Sequence, residues 1–152
     1  MDHDLNGDEW LASFWKTEAA EPLASYGQRR NAVVEEAYEL ASNVMDYCER
    51  LAKLNPVFAD QLLRSGTAVG SHTREAQSAE SIADFVHKMK IAHKELEETD
   101  YRLSLCRSKP HYPHDEGLVQ RTRALFPLFH RILTTSRERM SRERSERRAK
   151  RP

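Results

Sequence analysis

The sequence predicts an all-α protein, a single bundle of four helices with an acidic N-terminal extension and a basic C-terminal tail. Three observations predict it. Apolar residues recur at steps of three and four over most of the chain, strand-like alternation is hard to find, and Pro, Gly and Asn fall between the periodic stretches. A length of 152 residues supports one domain with a real core and does not divide comfortably into two. The boundaries read as an extension over residues 1–30, a bundle over 31–136 and an arginine-rich tail over 137–152.

The first helix runs from about Asn31 to Leu54. Val33, Val34, Ala37, Leu40, Ala41, Val44, Tyr47, Cys48, Leu51 and Leu54 form its stripe, and Asn55-Pro56 ends it. The second runs from about Val57 to Ala76 and contains QLLRSGTAVGSHTREA, residues 61–76. Leu62, Gly66, Val69, Thr73 and Ala76 turn one face inward. Gly66 and Gly70 each cost roughly 1 kcal/mol against alanine in a helix, which makes sense where another backbone comes close. They read as a tight helix crossing. A phosphate-binding glycine loop is the sharper alternative, but neither GxxxxGK[ST] nor GxGxxG occurs.

Ser81, with Asp84 three residues on, resembles a capping box with the acid one methylene short, so a third helix starts near Ser81. Ile82, Phe85, Met89, Ala92, Leu96, Thr99, Leu103 and Cys106 then alternate steps of three and four, the seam of a left-handed bundle. SKPHYPHDEG, residues 108–117, is a punctuated loop. Leu118, Leu125, Phe129, Ile132, Leu133 and Met140 give the fourth stripe, and Pro127 inside it predicts a kink or a restart. From Arg137 the apolar period is lost, and the segment either extends the helix through Arg/Glu pairs or frays. Near the start, Trp10, Leu11, Phe14 and Trp15 suit one short amphipathic turn.

The net charge of zero conceals two opposed ends. Residues 1–21 carry six acids against Lys16, while residues 137–152 carry eight cations against three glutamates. Nucleic-acid attraction must therefore be local. No apolar run is long enough to span a bilayer and the start lacks a basic signal-peptide region, so a cytoplasmic protein without membrane contact is expected. Cys48 and Cys106 are too far apart for a CxxC motif and read as buried free thiols.

Catalytic and metal chemistry finds little support. A diiron bundle needs two Glu-x-x-His sets and two further carboxylates; here Asp84 and His87 have that spacing once. His111 and His114 form an HxxH beside Asp115 and Glu116, but flanking prolines and missing partner ligands favour ordinary loop histidines. His72 lies among small residues with no nucleophile arranged around it. Glu95, Glu97, Glu98 and Asp100 fan out around the helix with Lys94 and Arg102 between them, a solvated face or an intersubunit ion-pair network. No cofactor is expected. The tail, with Arg137, Arg139, Arg142, Arg144, Arg147, Arg148, Lys150 and Arg151, suits a phosphate backbone, a solvated helix extension or the acidic start of a neighbouring chain.

The 61–76 block, REAQSAESIADFVHKMKIAHKELEETDYRL at 74–103 and ILTTS at 132–136 resemble one family. It comprises the small four-helix-bundle proteins of intervening sequences in bacterial large-subunit ribosomal RNA genes, and includes the accessory variability determinant of diversity-generating retroelements. The similarity spans roughly residues 31–136 in this chain. The resemblance implies an up-down-up-down bundle, a ring-shaped homopentamer, and non-catalytic binding of a reverse transcriptase and of RNA or DNA. It also implies that Arg64, Arg74, Lys88, Lys90 and Lys94 occupy basic positions of the family blocks. The expected function is a non-enzymatic scaffold that binds nucleic acid and a partner protein as a reverse transcriptase accessory factor. A module that binds only protein is the alternative.

Overall fold

Asn55, Ser81 and Asp115 set where three of the four helices begin. Asn55 Oδ1 accepts the Phe58 N–H at 3.0 Å, and Pro56 takes the first helical position, where no backbone donor is needed. Ser81 Oγ accepts the Asp84 N–H at 3.1 Å, while the short Asp84 carboxylate reaches back to the Glu80 N–H at 3.2 Å, one residue before the cap. Asp115 Oδ1 accepts the Leu118 N–H at 2.9 Å. The resulting helices are α1 (Ala32–Ala52), α2 (Pro56–Ala76), α3 (Ile82–Arg107) and α4 (Glu116–Ala149). The computed structural model describes residues 31–149; the expected turn around Trp10, Leu11, Phe14 and Trp15, and the cations Lys150 and Arg151, lie outside them. No strand occurs among the described residues.

Short connections force sequential helices to run antiparallel, and α1 packs on α2, α2 on α3, α3 on α4 and α4 back on α1. This closes an up-down-up-down four-helix bundle. Its interior holds Leu40, Val44 and Leu51 from α1, Leu62 and Val69 from α2, Met89 and Leu96 from α3, and Phe129 and Ile132 from α4, all essentially excluded from solvent. Full burial of each such side chain contributes roughly 1.5–3 kcal/mol. Thr73, Thr99 and Thr122 are also buried, each donating its hydroxyl to the carbonyl four residues back (Val69, Glu95 and Leu118) at 2.7–2.8 Å, so their methyl groups pack without an unmet donor. The Ser136 hydroxyl is buried without a hydrogen-bond partner among the described residues.

The α1–α2 crossing is tight at Gly66 and Gly70. A Cβ on Gly66 would meet Val44 Cγ1 at 2.6 Å, and one on Gly70 would meet the Ala37 carbonyl oxygen at 3.3 Å. Some stripe residues are less buried than expected; Val34 and Ala41 of α1 are half-buried. Leu54 is 53% exposed because α1 ends at Ala52 and the chain turns toward Asn55; Ile82, in the first turn of α3, is half-buried.

Pro127 neither restarts nor ends the last helix: α4 is one helix of 34 residues that includes it. The lost N–H bond is tolerated because packing holds both sides of it. Leu125 and Phe129 are buried, and the His93 ring from α3 stands edge-on to Phe126 at 5.7 Å with Phe129 at 6.2 Å. The tail does not fray over its described part either. Residues 137–149 continue α4, supported by an Arg139–Glu143 pair at 3.0 Å, although no described residue after Ser136 is buried and Met140 is only half-buried.

Candidate nucleic-acid interface

The five basic positions in the bundle do not act as one patch. Arg64 Nε lies 2.8 Å from Asp60 Oδ2, so its charge is locally offset, and Lys88 Nζ lies 3.9 Å from Asp84 Oδ1. Arg74, Lys90 and Lys94 are exposed and make no ion pair among the described residues. Lys90 and Lys94, four residues apart, share one ridge of α3, whereas Lys88 points away from the centre of that ridge by about 140° at 100° per residue.

The same ridge runs on to Tyr101 and Leu105, which are 64% and 36% exposed, and Tyr38 and Met45 are exposed on α1. Sequence reading passed over these four because it followed the inward period. An apolar residue that falls off that period is the signal that would have found them.

The acidic cluster of α3 is largely satisfied within the chain. Glu98 pairs with Arg102 at 2.9 Å, Glu97 lies 3.8 Å from His93 Nδ1, and Asp100 reaches across to Arg123 of α4 at 2.9 Å. These half-exposed pairs hold a polar face.

At the end of the bundle, Tyr47, Leu103, Arg107, Pro113, His114, Asp115, Glu116 and Val119 line a recess of about 390 Å³. Its charges are already engaged: Arg50 with Asp115 at 3.0 Å and Arg107 with Glu116 at 3.6 Å. The Tyr47 hydroxyl donates to the Pro113 carbonyl at 2.6 Å, Asn55 Nδ2 donates to the Tyr112 hydroxyl at 2.9 Å, and His114 Nε2 lies 3.1 Å from the Lys109 carbonyl. The 108–115 loop is thus tethered at several points, with His111 edge-on to Tyr112 at 4.7 Å. Burial raises the Tyr47 hydroxyl and the Cys106 thiol above their ordinary pKa values and pushes the Cys48 thiol up to about 12. Both cysteines are free, buried and held protonated, which suppresses thiolate chemistry.

His72 Nδ1 lies 3.4 Å from Glu75 Oε2, a neighbour on its own helix. Among the described residues no three His, Cys, Asp or Glu side chains converge on a point where a metal could bind. No described helix is long and apolar enough to cross a membrane.

The remaining charge lies on the overhang of α4. Arg137, Arg142, Arg144, Arg147 and Arg148 are exposed there without an ion pair among the described residues, while Arg139 is engaged by Glu143. At 1.5 Å per residue, the thirteen residues from Arg137 to Ala149 reach about 20 Å beyond the last buried side chain.

Fold and charge together define a four-helix-bundle protein whose last helix overruns the core as a basic rod. The profile described as 23S rRNA-intervening sequence protein matches residues 29–120, well over half of the chain, and the chain belongs to that family. Among solved structures it is similar to a protein of unknown function from the S23 ribosomal protein family of Bacteroides thetaiotaomicron VPI-5482. That likeness has 31% identity and a TM-score of 0.63, and covers 67% of this chain and 98% of the other. No curated protein matches.

Proposed function

We propose that this protein is a non-enzymatic, homo-oligomeric helical scaffold that holds nucleic acid and a partner protein, acting beside the reverse transcriptase of a diversity-generating retroelement. Family membership over residues 29–120 is the observation that carries the reading. The exposed cations of the α4 overhang support its nucleic-acid part, since cations without local acidic partners are the ones able to displace counterions from phosphate.

Gel shifts with RNA and DNA, and pull-downs with the reverse transcriptase, test the reading on full-length protein and on a chain cut after Ser136. Loss of binding on truncation is expected; undiminished binding would remove the overhang from the function. Sedimentation should give a mass five times the 17.6 kDa chain if the ring forms. An adjacent reverse transcriptase gene with a variable repeat would tie the chain to a retroelement.

The exposed Tyr38, Met45 and Tyr101, with a net charge of zero, favour a second reading, a module that binds protein alone. Salt separates the two: phosphate binding weakens steeply as salt rises, and apolar docking does not.

A further inference from the structure

Helical geometry sorts the charges of the α4 overhang, which a linear count of arginines does not. At about 100° per residue, Arg137, Arg144 and Arg148 fall within about 40° of one another around the helix. Glu138, Glu143 and Glu146 all project about 100° or more from the centre of that ridge. Glu143 is further held by Arg139 at 3.0 Å. The three ridge arginines are exposed, and none makes an ion pair among the described residues.

We propose that this ridge is a contact for a phosphodiester backbone, with Arg137, Arg144 and Arg148 laid along it and the glutamates turned away. The inference rests on the nucleic-acid reading above and adds which side chains of the overhang do the binding. Successive ridge arginines are about 10 Å and 6 Å apart along the axis, so a rod of this length meets several phosphates of a strand rather than one. Ser141 lies on the same side and offers a hydroxyl donor to a phosphate oxygen.

The overhang has no aromatic residue on which a base could stack, and the ridge has no apolar anchor of the kind a protein interface is built around. Backbone contact without base readout is the chemistry that remains. The family match stops at residue 120, within α4, so the ridge lies beyond the part of the chain it covers.

Two double substitutions of equal charge change test this in the full-length chain: Arg144→Gln with Arg148→Gln on the ridge, and Arg142→Gln with Arg147→Gln off it. Fluorescence anisotropy would follow binding to duplex DNA, duplex RNA and single-stranded RNA across a salt series, with circular dichroism checking that helix content is kept. The ridge pair should lose about tenfold in affinity and flatten the log–log salt slope by about 1.8 on a duplex, while the off-ridge pair changes far less.

The probe on which that difference is largest identifies the backbone involved. Equal losses from the two pairs would overturn the ridge and leave only bulk charge, with nucleic-acid binding itself intact. Failure of the unsubstituted protein to bind any of the three probes would overturn the nucleic-acid reading and the ridge together.

Discussion

The Cβ that Gly66 lacks would stand 2.6 Å from Val44 Cγ1 and 2.9 Å from Val44 Cβ, so α2 meets α1 where only a hydrogen atom fits. Because the Val44 Cβ is itself involved, a rotamer change cannot clear the space. Gly66→Ala should therefore destabilise the fold by about 1–3 kcal/mol by overpacking, despite the roughly 1 kcal/mol that alanine gains in helix propensity. Denaturant midpoints would show it. Combining Gly66→Ala with Val44→Ala should cost less than the sum of the two, since each relieves the other.

Asp115 caps α4 and also receives Arg50. Asp115→Ala should cost about 1 kcal/mol or more through the lost cap together with the ion pair, whereas Arg50→Ala, removing the half-exposed ion pair and the guanidinium that lies 5.4 Å over the Tyr47 ring, should cost about 0.5 kcal/mol. Thermal unfolding of the two variants separates the contributions, and equal losses would give the ion pair the larger role.

Pro127 is exposed and sits inside a continuous helix. Pro127→Ala restores a backbone donor and should raise stability by about 1–2 kcal/mol in urea titrations. A drop instead would mean that the proline geometry sets how Phe126 and Phe129 meet His93.

Burial disfavours the Cys48 thiolate and pushes the thiol up from its ordinary 9.0 to about 12. The folded state holds that proton more tightly than the unfolded chain does. The stability contribution is thus complete below about pH 9 and is lost as pH rises from 9 toward 12. Melting temperatures should fall over that window, and Cys48→Ala should flatten the fall. In native protein at pH 8 both thiols should resist alkylation and react only on unfolding.

A chain ending at Ser136 should melt close to the full-length protein, since no described residue beyond Ser136 is buried. Differential scanning calorimetry would check this; a large drop would show that the overhang stabilises the bundle.

Much of the bundle was legible in sequence because burial imposes a period. The α3 seam from Phe85 to Cys106, the break at Asn55 and the helix start at Ser81 lie where step and cap chemistry placed them. Leu54 was misread because its apolar character extends the stripe one turn past the point where the backbone leaves the helix. Of the kink or restart expected at Pro127, the restart does not occur, because the local cost of a lost hydrogen bond is visible in sequence and the packing on either side that outweighs it is not.

By itself the sequence determined that the chain is helical, which faces turn inward, and which family it joins, since these depend on local periodicity and residue identity. Only the tertiary structure decided which charges are already engaged. Arg123 beside Asp100, Arg121 beside Glu36 and Arg50 beside Asp115 are offset across helices, while Arg137, Arg144 and Arg148 share one ridge without such partners among the described residues. A charge pairs according to distance and direction in space. Both were set here by where the helices pack and by how far α4 continues beyond them.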